Sequence, residues 1–255
     1  MRFSRWHALG NVYLLVERAD PGRPLTPDDA RAVCDPGNDG GSDGVLEVLE
    51  TSGNEATILI WNPDGSLAEM SGNGTRIAAA WLARRAATTD VFVHVGPRTV
   101  RAHVRSDGLV EQELGEVEVG APEILDVAGE PVEVTPVSVG NPHAVVRLEH
   151  DRDDLLRLGP LVERHARFPE RTNVQLVEVE GPHTLRVSVW ERGAGETSAS
   201  GSSAVAAAAA AVAHGWCESP VTVRLPGGEL LVELDGGRAR LTGPAVELAA
   251  DLELA

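Results

Sequence analysis

The stretch Ser71–Ala80, which reads SGNGTRIAAA, recurs later in the chain as Ser200–Ala209, SGSSAVAAAA. In both copies a serine and a glycine open the stretch and alanines close it, and the two serines are 129 positions apart. Trp61 and Trp190 end apolar, strand-like runs just before these stretches and show the same offset. One match of this kind arises by chance, but several in the same order indicate an internal repeat.

A Gly-Asn pair upstream extends the repeat in the same order. It occurs as Gly10-Asn11 and again as Gly140-Asn141, at an offset of 130 positions. The pattern therefore predicts two homologous halves. Glycine and proline interrupt it between them, and we place the halves at residues 1–116 and 117–245.

The alanine runs also predict how each half is built. Helices so rich in alanine have no polar face, and their small side chains allow strands to pack on every side. Helical periodicity appears at Pro27–Val33, Gly74–Ala87, Leu155–Glu163 and Ser202–His214, among many short runs rich in Val, Ile and Leu. We predict an α+β fold of two pseudo-symmetric halves. Each is a curved, mostly antiparallel sheet wrapped around a central helix, and the active site lies in the cleft between them.

The overall charge argues against two classes of partner. The 255-residue chain carries 39 acidic and 22 basic residues, a formal charge of −17. Such a surface repels phosphate, so nucleic acid and anionic membranes are not expected as partners. The longest apolar stretch, Ala204–Ala213, is too short to span a bilayer, and no signal peptide is visible at the N-terminus. Cys34 and Cys217 imply no disulfide framework, which favours a cytoplasmic protein.

The basic residues exclude two kinds of chemistry, because all of them are arginine and the chain contains no lysine. A pyridoxal-phosphate enzyme holds its cofactor through a lysine Schiff base. A P-loop likewise needs the lysine of its Gly-Lys-Ser/Thr ending. We expect neither a cofactor nor a metal site.

The two serines are the first candidates for chemistry. Each stands where a helix begins, and the unpaired amides and positive dipole end there form a natural carboxylate site. The structural alternative is that Ser71 and Ser200 are simple N-caps, a role that serine fills well. As a symmetric pair, they suit proton removal on one face of a carbon and its return on the other, which is racemisation.

At this point a family resemblance becomes visible in the motifs. Residues 62–66 (NPDGS) with 69–76 (EMSGNGTR), and residues 191–197 (ERGAGET) with 200–202 (SGS), resemble the two signatures of diaminopimelate epimerases. Further matching segments follow the family's order: residues 7–11 (HALGN), 42–45 (SDGV), 140–143 (GNPH) and 171–173 (RTN). The resemblance covers essentially the whole chain. It implies that the last residues, 246–255, return to the first half.

The resemblance also implies roles for individual residues. A catalytic group consists of Ser71, Ser200, His143 and Glu191. A substrate-binding group grips the distal amino-acid end and holds the reacting carboxylate, and it consists of Asn11, Asn62, Gly72, Asn73, Gly74, Asn141, Asn173, Glu191, Arg192, Gly201 and Ser202. Each has a structural alternative: turn residues for the asparagines, a strand-end histidine, or an exposed ion pair. Within this motif context the functional interpretation is favoured.

Ser71 and Ser200 are also where the chain departs from the family, which carries cysteine at both positions. A thiol at a helix N-terminus reaches a pKa near neutrality, whereas a serine hydroxyl needs an adjacent base. Three explanations stay open: a Cys-to-Ser double variant, a natural homologue that works through serines with His143 or Glu191 assisting, or a homologue with changed chemistry.

The resemblance implies an isomerase that interconverts LL- and meso-diaminopimelate in lysine biosynthesis, without cofactor, as a homodimer. Its partner is then a small amino-acid substrate. Two alternatives remain: another amino-acid racemase or isomerase of the same fold, and a catalytically silent protein that binds an amino acid.

Overall fold

The computed structural model of the chain describes residues 2–19, 22–37 and 41–253. Within these ranges it is an α+β fold of four helices and nineteen strands, as predicted. The described residues divide into two compact units, one running up to Glu113 and resuming at Thr242, the other spanning Leu114–Leu241. The predicted segment 246–255 ends in Leu254 and Ala255, which lie outside the described residues.

The first unit contains two helices, α1 (Pro27–Cys34) and α2 (Gly72–Ala86). Its strands are β1 (Arg2–Ala8), β2 (Asn11–Glu17), β3 (Gly44–Ser52), β4 (Glu55–Trp61), β5 (Leu67–Ala68), β6 (Asp90–Val95), β7 (Arg98–Val104), the first part of β8 (Val110–Glu116) and, at the far end of the chain, β19 (Val246–Glu253).

The second unit also contains two helices, α3 (Arg152–Glu163) and α4 (Gly201–Ala213). Its strands are β9 (Glu118–Val119), β10 (Glu123–Val127), β11 (Glu130–Ser138), β12 (Pro142–Arg147), β13 (Asn173–Gly181), β14 (Thr184–Glu191), β15 (Gly195–Thr197), β16 (Val221–Leu225), β17 (Gly228–Asp235) and most of β18 (Arg238–Gly243).

The same pairings occur in the same order in both units. In the first, β2 and β3 are parallel across α1, β3 and β4 antiparallel, β4 and β6 parallel across α2, and β6 and β7 antiparallel. In the second, β12 and β13 are parallel across α3, β13 and β14 antiparallel, β14 and β16 parallel across α4, and β16 and β17 antiparallel. Parallel neighbours need such crossovers, because a tight turn cannot join them. The predicted doubling of the architecture is confirmed at this level.

Each unit encloses the alanine-rich helix that follows its serine. In the first unit α2 packs against β1, β2, β4, β6 and β7, and in the second α4 packs against β11, β12, β13, β14, β16 and β17. Every residue of Ala204–Ala211 in α4 is at most 4% exposed. The absence of a polar face thus leads to burial on all sides, as expected from the composition.

Capping residues set where the two outer helices begin. Thr26 and Asp29 form a capping box at the start of α1, with Pro27 in the first turn. Asp151 and Asp154 form a second box at the start of α3. This helix therefore begins three residues before Leu155, where the periodicity predicted its start. The first turn is polar, so the apolar periodicity could not reveal it.

The chain returns to the first unit through β19, which pairs antiparallel with β1. Trp6 of β1 lies opposite Glu247. Arg84 of α2 joins this pair, since its guanidinium bonds Glu247 and stacks 5.0 Å from the centre of the Trp6 ring. The end of the chain is thereby attached to the central helix of the unit.

Cys34 and Cys217 are free, buried thiols, and burial raises the pKa of both. Among the described residues, no group of three or more His, Cys, Asp or Glu side chains could hold a metal ion. None of the helices in the described ranges combines the length and apolar character needed to cross a bilayer.

The packing of α4 gives a stability prediction. Ala208 is fully buried, so Ala208→Leu should lower the free energy of unfolding by about 1–3 kcal/mol through overpacking. Ala213→Leu, the same change at an exposed position in the last turn of α4, is the control and should stay within about 0.5 kcal/mol of the parent. Chemical denaturation measures both. Equal effects would show that α4 is not enclosed.

Candidate active site

Ser71 is the N-cap of α2, and its side chain makes the capping hydrogen bond. Its Oγ accepts a hydrogen bond from the Gly74 amide at 3.0 Å. The same Oγ lies 3.0 Å from the Tyr13 hydroxyl, and either oxygen can donate in this bond. The capping interpretation of Ser71 is therefore correct, and Tyr13 is a partner that the sequence analysis missed.

The turn that follows Ser71 is hydrogen-bonded to a buried cation. Arg76 is fully buried; its Nη2 donates to Asn73 Oδ1 at 2.8 Å and its Nε to the Pro244 carbonyl at 3.0 Å. Burial lowers the pKa of Arg76 to about 10, so the side chain stays protonated at neutral pH. The ion pairs formed by the described residues do not include Arg76. Its charge is met by carbonyl and amide oxygens.

Gly72, Asn73 and Gly74 form the first turn of α2 below Ser71. Asn73 and Gly74 are buried, and Gly72 is half-buried. A Cβ on Gly74 would lie 3.0 Å from Leu46 Cδ2 and 3.3 Å from Ser71 Oγ. The absence of a side chain at Gly74 therefore lets the turn sit close to the serine.

Ser200 stands at the N-cap of α4 but makes no side-chain cap bond. Its buried hydroxyl instead interacts with the carboxyl group of Glu191, at the end of β14. Burial raises the pKa of Glu191, and the bond from Ser200 opposes that shift. Ser200 thus has an adjacent base. Its side chain does not cap the amides in the first turn of α4, which includes Gly201 and Ser202.

His143 is buried and neutral. Burial lowers its pKa to about 3; the hydrogen bond from Gln175 opposes this, and the charge of Arg192 adds to it. One ring nitrogen lies 3.0 Å from Asn141 Oδ1 and the other 3.1 Å from Gln175 Nε2. His143 therefore orients Asn141, and at neutral pH it is not the imidazolium cation that would serve as an acid.

Asn173 connects the ends of three strands. Its Nδ2 donates to the Pro142 carbonyl at 3.0 Å, and its Oδ1 accepts from the Arg192 amide at 3.0 Å. The Arg192 side chain is exposed, with a 3.4 Å bond to the Glu170 carbonyl. None of the ion pairs within residues 2–19, 22–37 and 41–253 involves Arg192. A guanidinium of this kind can bind a carboxylate through two parallel hydrogen bonds.

Two predicted site residues of the first unit lie at strand ends. Asn11 is the first residue of β2 and is half-buried. Asn62 follows β4, where its Nδ2 donates to Ser66 Oγ at 2.9 Å. The Asn62 amide also donates to the Ser66 carbonyl, so this asparagine stabilises its own turn.

A buried glutamate lies beside each repeat tryptophan and was not predicted from the sequence. Glu47 accepts from Trp61 Nε1 at 3.0 Å, and Glu163 accepts from Trp190 Nε1 at 2.9 Å. Glu163 also accepts from the Gly193 amide at 2.9 Å, so it supports the turn that carries Arg192. Burial disfavours its charge, but these bonds and nearby arginines hold the pKa of Glu163 below its usual value. The available signal was the tryptophan itself, because a buried indole N–H needs an acceptor.

The predicted residues thus form three contacting pairs in the second unit: Ser200 with Glu191, His143 with Asn141, and Asn173 with Arg192. In the first unit, Ser71 joins the turn of Asn73 and Gly74. A hydroxyl that interacts with a carboxyl of raised pKa, at the amide-rich start of a helix, can move a proton beside a bound carboxylate.

A known family matches the chain over most of its length. The model of the diaminopimelate epimerase family matches residues 3–120 and 135–247. A curated diaminopimelate epimerase from Synechococcus elongatus is 38% identical over 277 aligned positions, which cover 100% of this chain and 99% of the relative. The diaminopimelate epimerase of Magnetococcus marinus is 37% identical and covers 97% of this chain and 95% of its own length.

Solved structures with low sequence identity share the fold. A predicted epimerase from Pseudomonas aeruginosa superposes with a TM-score of 0.75 at 19% identity, covering 100% of this chain and 99% of that one. A hydroxyproline epimerase from Agrobacterium vitis, solved with trans-4-hydroxy-L-proline, has a TM-score of 0.69 at 16% identity and covers 98% and 89%. With a family match over nearly its whole length and curated relatives at about 38% identity, the chain belongs to the diaminopimelate epimerase family.

Proposed function

We propose that the chain inverts an α-carbon of diaminopimelate, interconverting the LL and meso forms without a cofactor. Family membership over the full chain supports the substrate, since curated relatives of this name share about 38% identity with it. The contact between Ser200 and Glu191 carries the mechanism, because it supplies the adjacent base that a serine needs. Of the three explanations left open by the sequence, this contact favours a homologue that works through its serines.

The proton moves in a balanced step on the side of Ser200. The substrate C–H bond breaks as Ser200 Oγ gains the α-proton, and the hydroxyl proton of Ser200 passes to the Glu191 carboxylate. The electron pair of the C–H bond stays on the substrate and spreads into its carboxylate. In the proposal, amides at Gly72 and Asn73 and at Gly201 and Ser202 hold that carboxylate.

Ser71 serves the other face of the carbon, where it returns a proton. The distal amino-acid end is gripped by Asn11, Asn62, Asn141, Asn173 and Arg192. The exposed guanidinium of Arg192 supports this assignment, as does Asn173, which fixes the backbone of Arg192. His143 holds Asn141 and acts as a positioning residue.

We further propose a homodimer, as the family resemblance implies, and a cytoplasmic location. The buried free thiols of Cys34 and Cys217 support a reducing compartment, since neither is paired.

The role of Glu191 is tested by replacing it with glutamine. Glu191→Gln keeps the size but cannot accept a proton, so kcat for LL-to-meso conversion should fall by about 10²–10⁴-fold. Glu196→Gln, which changes an exposed glutamate paired with Arg152, is the matched control and should keep the parent rate. A conversion rate unaffected by Glu191→Gln contradicts the mechanism. Binding of the substrate without conversion by the parent chain supports a silent amino-acid-binding protein.

The pH dependence follows from the same carboxyl group. Glu191 must be deprotonated to accept the proton, and burial raises its pKa. Activity should therefore be lost as the pH falls through that raised pKa, above the value of about 4.3 for an unperturbed glutamate. The acid limb of the kcat profile measures this. A limb at or below the ordinary glutamate value excludes Glu191 as the base.

The proposed contact with the distal end of the substrate is tested at Arg192. Arg192→Ala should weaken substrate binding by about 2–5 kcal/mol, as for truncating one partner of a charge pair that becomes buried. The control is Arg101→Ala, which removes an exposed arginine paired with Glu113 on the surface. Calorimetry with diaminopimelate reports both affinities. Equal affinities for the two variants would place Arg192 outside the substrate site.

A further inference from the structure

Tyr13 is the single tyrosine of the chain, and it lies in the core of the first unit. Only 8% of the residue is exposed, and its hydroxyl is hydrogen-bonded to Ser71 Oγ at 3.0 Å. A buried phenol needs a hydrogen-bond partner, which accounts for a bond. It does not account for the choice of Ser71, whose side chain already caps α2.

Gly44 makes the approach of the ring possible. In the parallel pair of β2 and β3, Gly44 lies opposite Tyr13. A Cβ on Gly44 would lie 2.8 Å from Tyr13 Cε1 and 2.6 Å from the Trp61 carbonyl oxygen, closer than real side chains come. Only glycine therefore leaves room for the ring at this position.

A buried cation lies close to the phenol. Arg76, buried on α2, interacts electrostatically with Tyr13, and the anionic phenol raises the pKa of that guanidinium. The two charged forms therefore stabilise each other. Of the strand neighbours, Trp6 on β1 and Gly44 on β3 are uncharged. Asp43 next to Gly44 has its carboxylate bonded to the Val12 amide at 2.7 Å.

The two serines are thus matched with different bases. Ser200 interacts with a carboxyl group, Glu191, and does not cap its helix. Ser71 caps its helix and is bonded to a phenol. Among the described residues, the hydrogen-bond partners of Ser71 Oγ are the Gly74 amide and Tyr13, so Tyr13 is the side chain there that can exchange a proton with it.

We propose that Tyr13 is the proton partner of Ser71 and completes the second acid–base site of the epimerase. The inference rests on the proposed function. In the base direction, the substrate C–H bond breaks as Ser71 Oγ gains the α-proton, and the Ser71 hydroxyl proton moves to the phenolate oxygen of Tyr13. The electron pair stays on the substrate, spread into its carboxylate. In the acid direction, each proton moves back along the same path.

The two possible directions of the hydrogen bond correspond to the two states of this site. When Ser71 donates to Tyr13, the serine oxygen accepts from the Gly74 amide and keeps a lone pair for the α-proton. When Tyr13 donates, the Ser71 proton is left to point at the carbon. Gly74 stabilises the oxygen in both states.

A double-mutant cycle tests the relay. Tyr13→Phe keeps the ring and removes the hydroxyl, and in the parent chain it should lower kcat by about 10²–10⁴-fold with little change in KM. Ser71→Cys supplies a thiol whose pKa falls at a helix N-terminus, so it needs no phenol. In the Ser71→Cys chain, the loss caused by Tyr13→Phe should be at least about tenfold smaller, as expected for coupled residues. Assays run under reducing conditions.

A purely structural role of Tyr13 predicts equal losses in both backgrounds, and that result overturns the relay. So does an unchanged kcat for Tyr13→Phe in an active parent chain, which leaves the proposed function intact. If the parent chain is inactive, the relay is wrong. The Ser71→Cys, Ser200→Cys chain then decides the function, because its conversion of diaminopimelate preserves the proposed substrate and its failure rejects it.

A measurement without substrate checks the contact itself. Because the chain has one tyrosine, isotope-labelled tyrosine gives a single set of ring resonances. Ser71→Ala should shift the resonance of the carbon that bears the hydroxyl. Ser200→Ala, the matched change in the other unit, should leave it unchanged. A resonance that is insensitive to Ser71→Ala contradicts the hydrogen bond on which the relay depends.

Discussion

Enclosure of a helix that has no polar face is the constraint on which each unit depends. The alanine side chains of α4 are apolar and cannot hydrogen-bond to water. Burying them under strands on every side therefore lowers the free energy of the folded unit. Small side chains let those strands approach closely. The ends of such a helix are then its only polar parts, and its N-terminus presents unpaired amides.

We propose that the chemistry takes place at these N-termini, where the two serines have different surroundings. Ser71 caps α2 and contacts a phenol beside a buried cation, whereas Ser200 leaves α4 uncapped and interacts with a half-buried carboxyl group. The repeated architecture thus gives the two proposed sites different bases. Such asymmetry suits a reaction in which one group removes a proton while the other delivers one.

Much of this fold could be predicted from the sequence, because its strongest signals are local. The alanine runs predicted α2 and α4, and the repeat around Trp61 and Trp190 predicted the doubled architecture. The apolar-run pattern missed β11, where Pro131 and Pro136 interrupt a strand that still pairs with β12. It also missed β19, whose pairing with β1 joins the two ends of the chain and leaves no local trace.

The sequence named candidate site residues but not their contacts. Motifs pointed to Ser200 and Glu191, and the structure adds that the two side chains interact. His143 was expected to support the catalytic pair, and the structure shows it as a buried, neutral residue that contacts Asn141. Tyr13 and Glu163 were missed because an aromatic residue in a strand and a glutamate at a helix end carry no signal of their own.

The most direct test of the central claim, that two serine-based sites invert one carbon, is epimerisation in heavy water at low conversion. The unmodified chain converts LL-diaminopimelate, and mass spectrometry measures deuterium in the meso product and in the recovered LL substrate. Two bases predict deuterium in the product and none in the recovered substrate, because one site removes the proton and the other supplies a deuteron. Deuterium in both pools at equal levels, or in neither, would contradict the account.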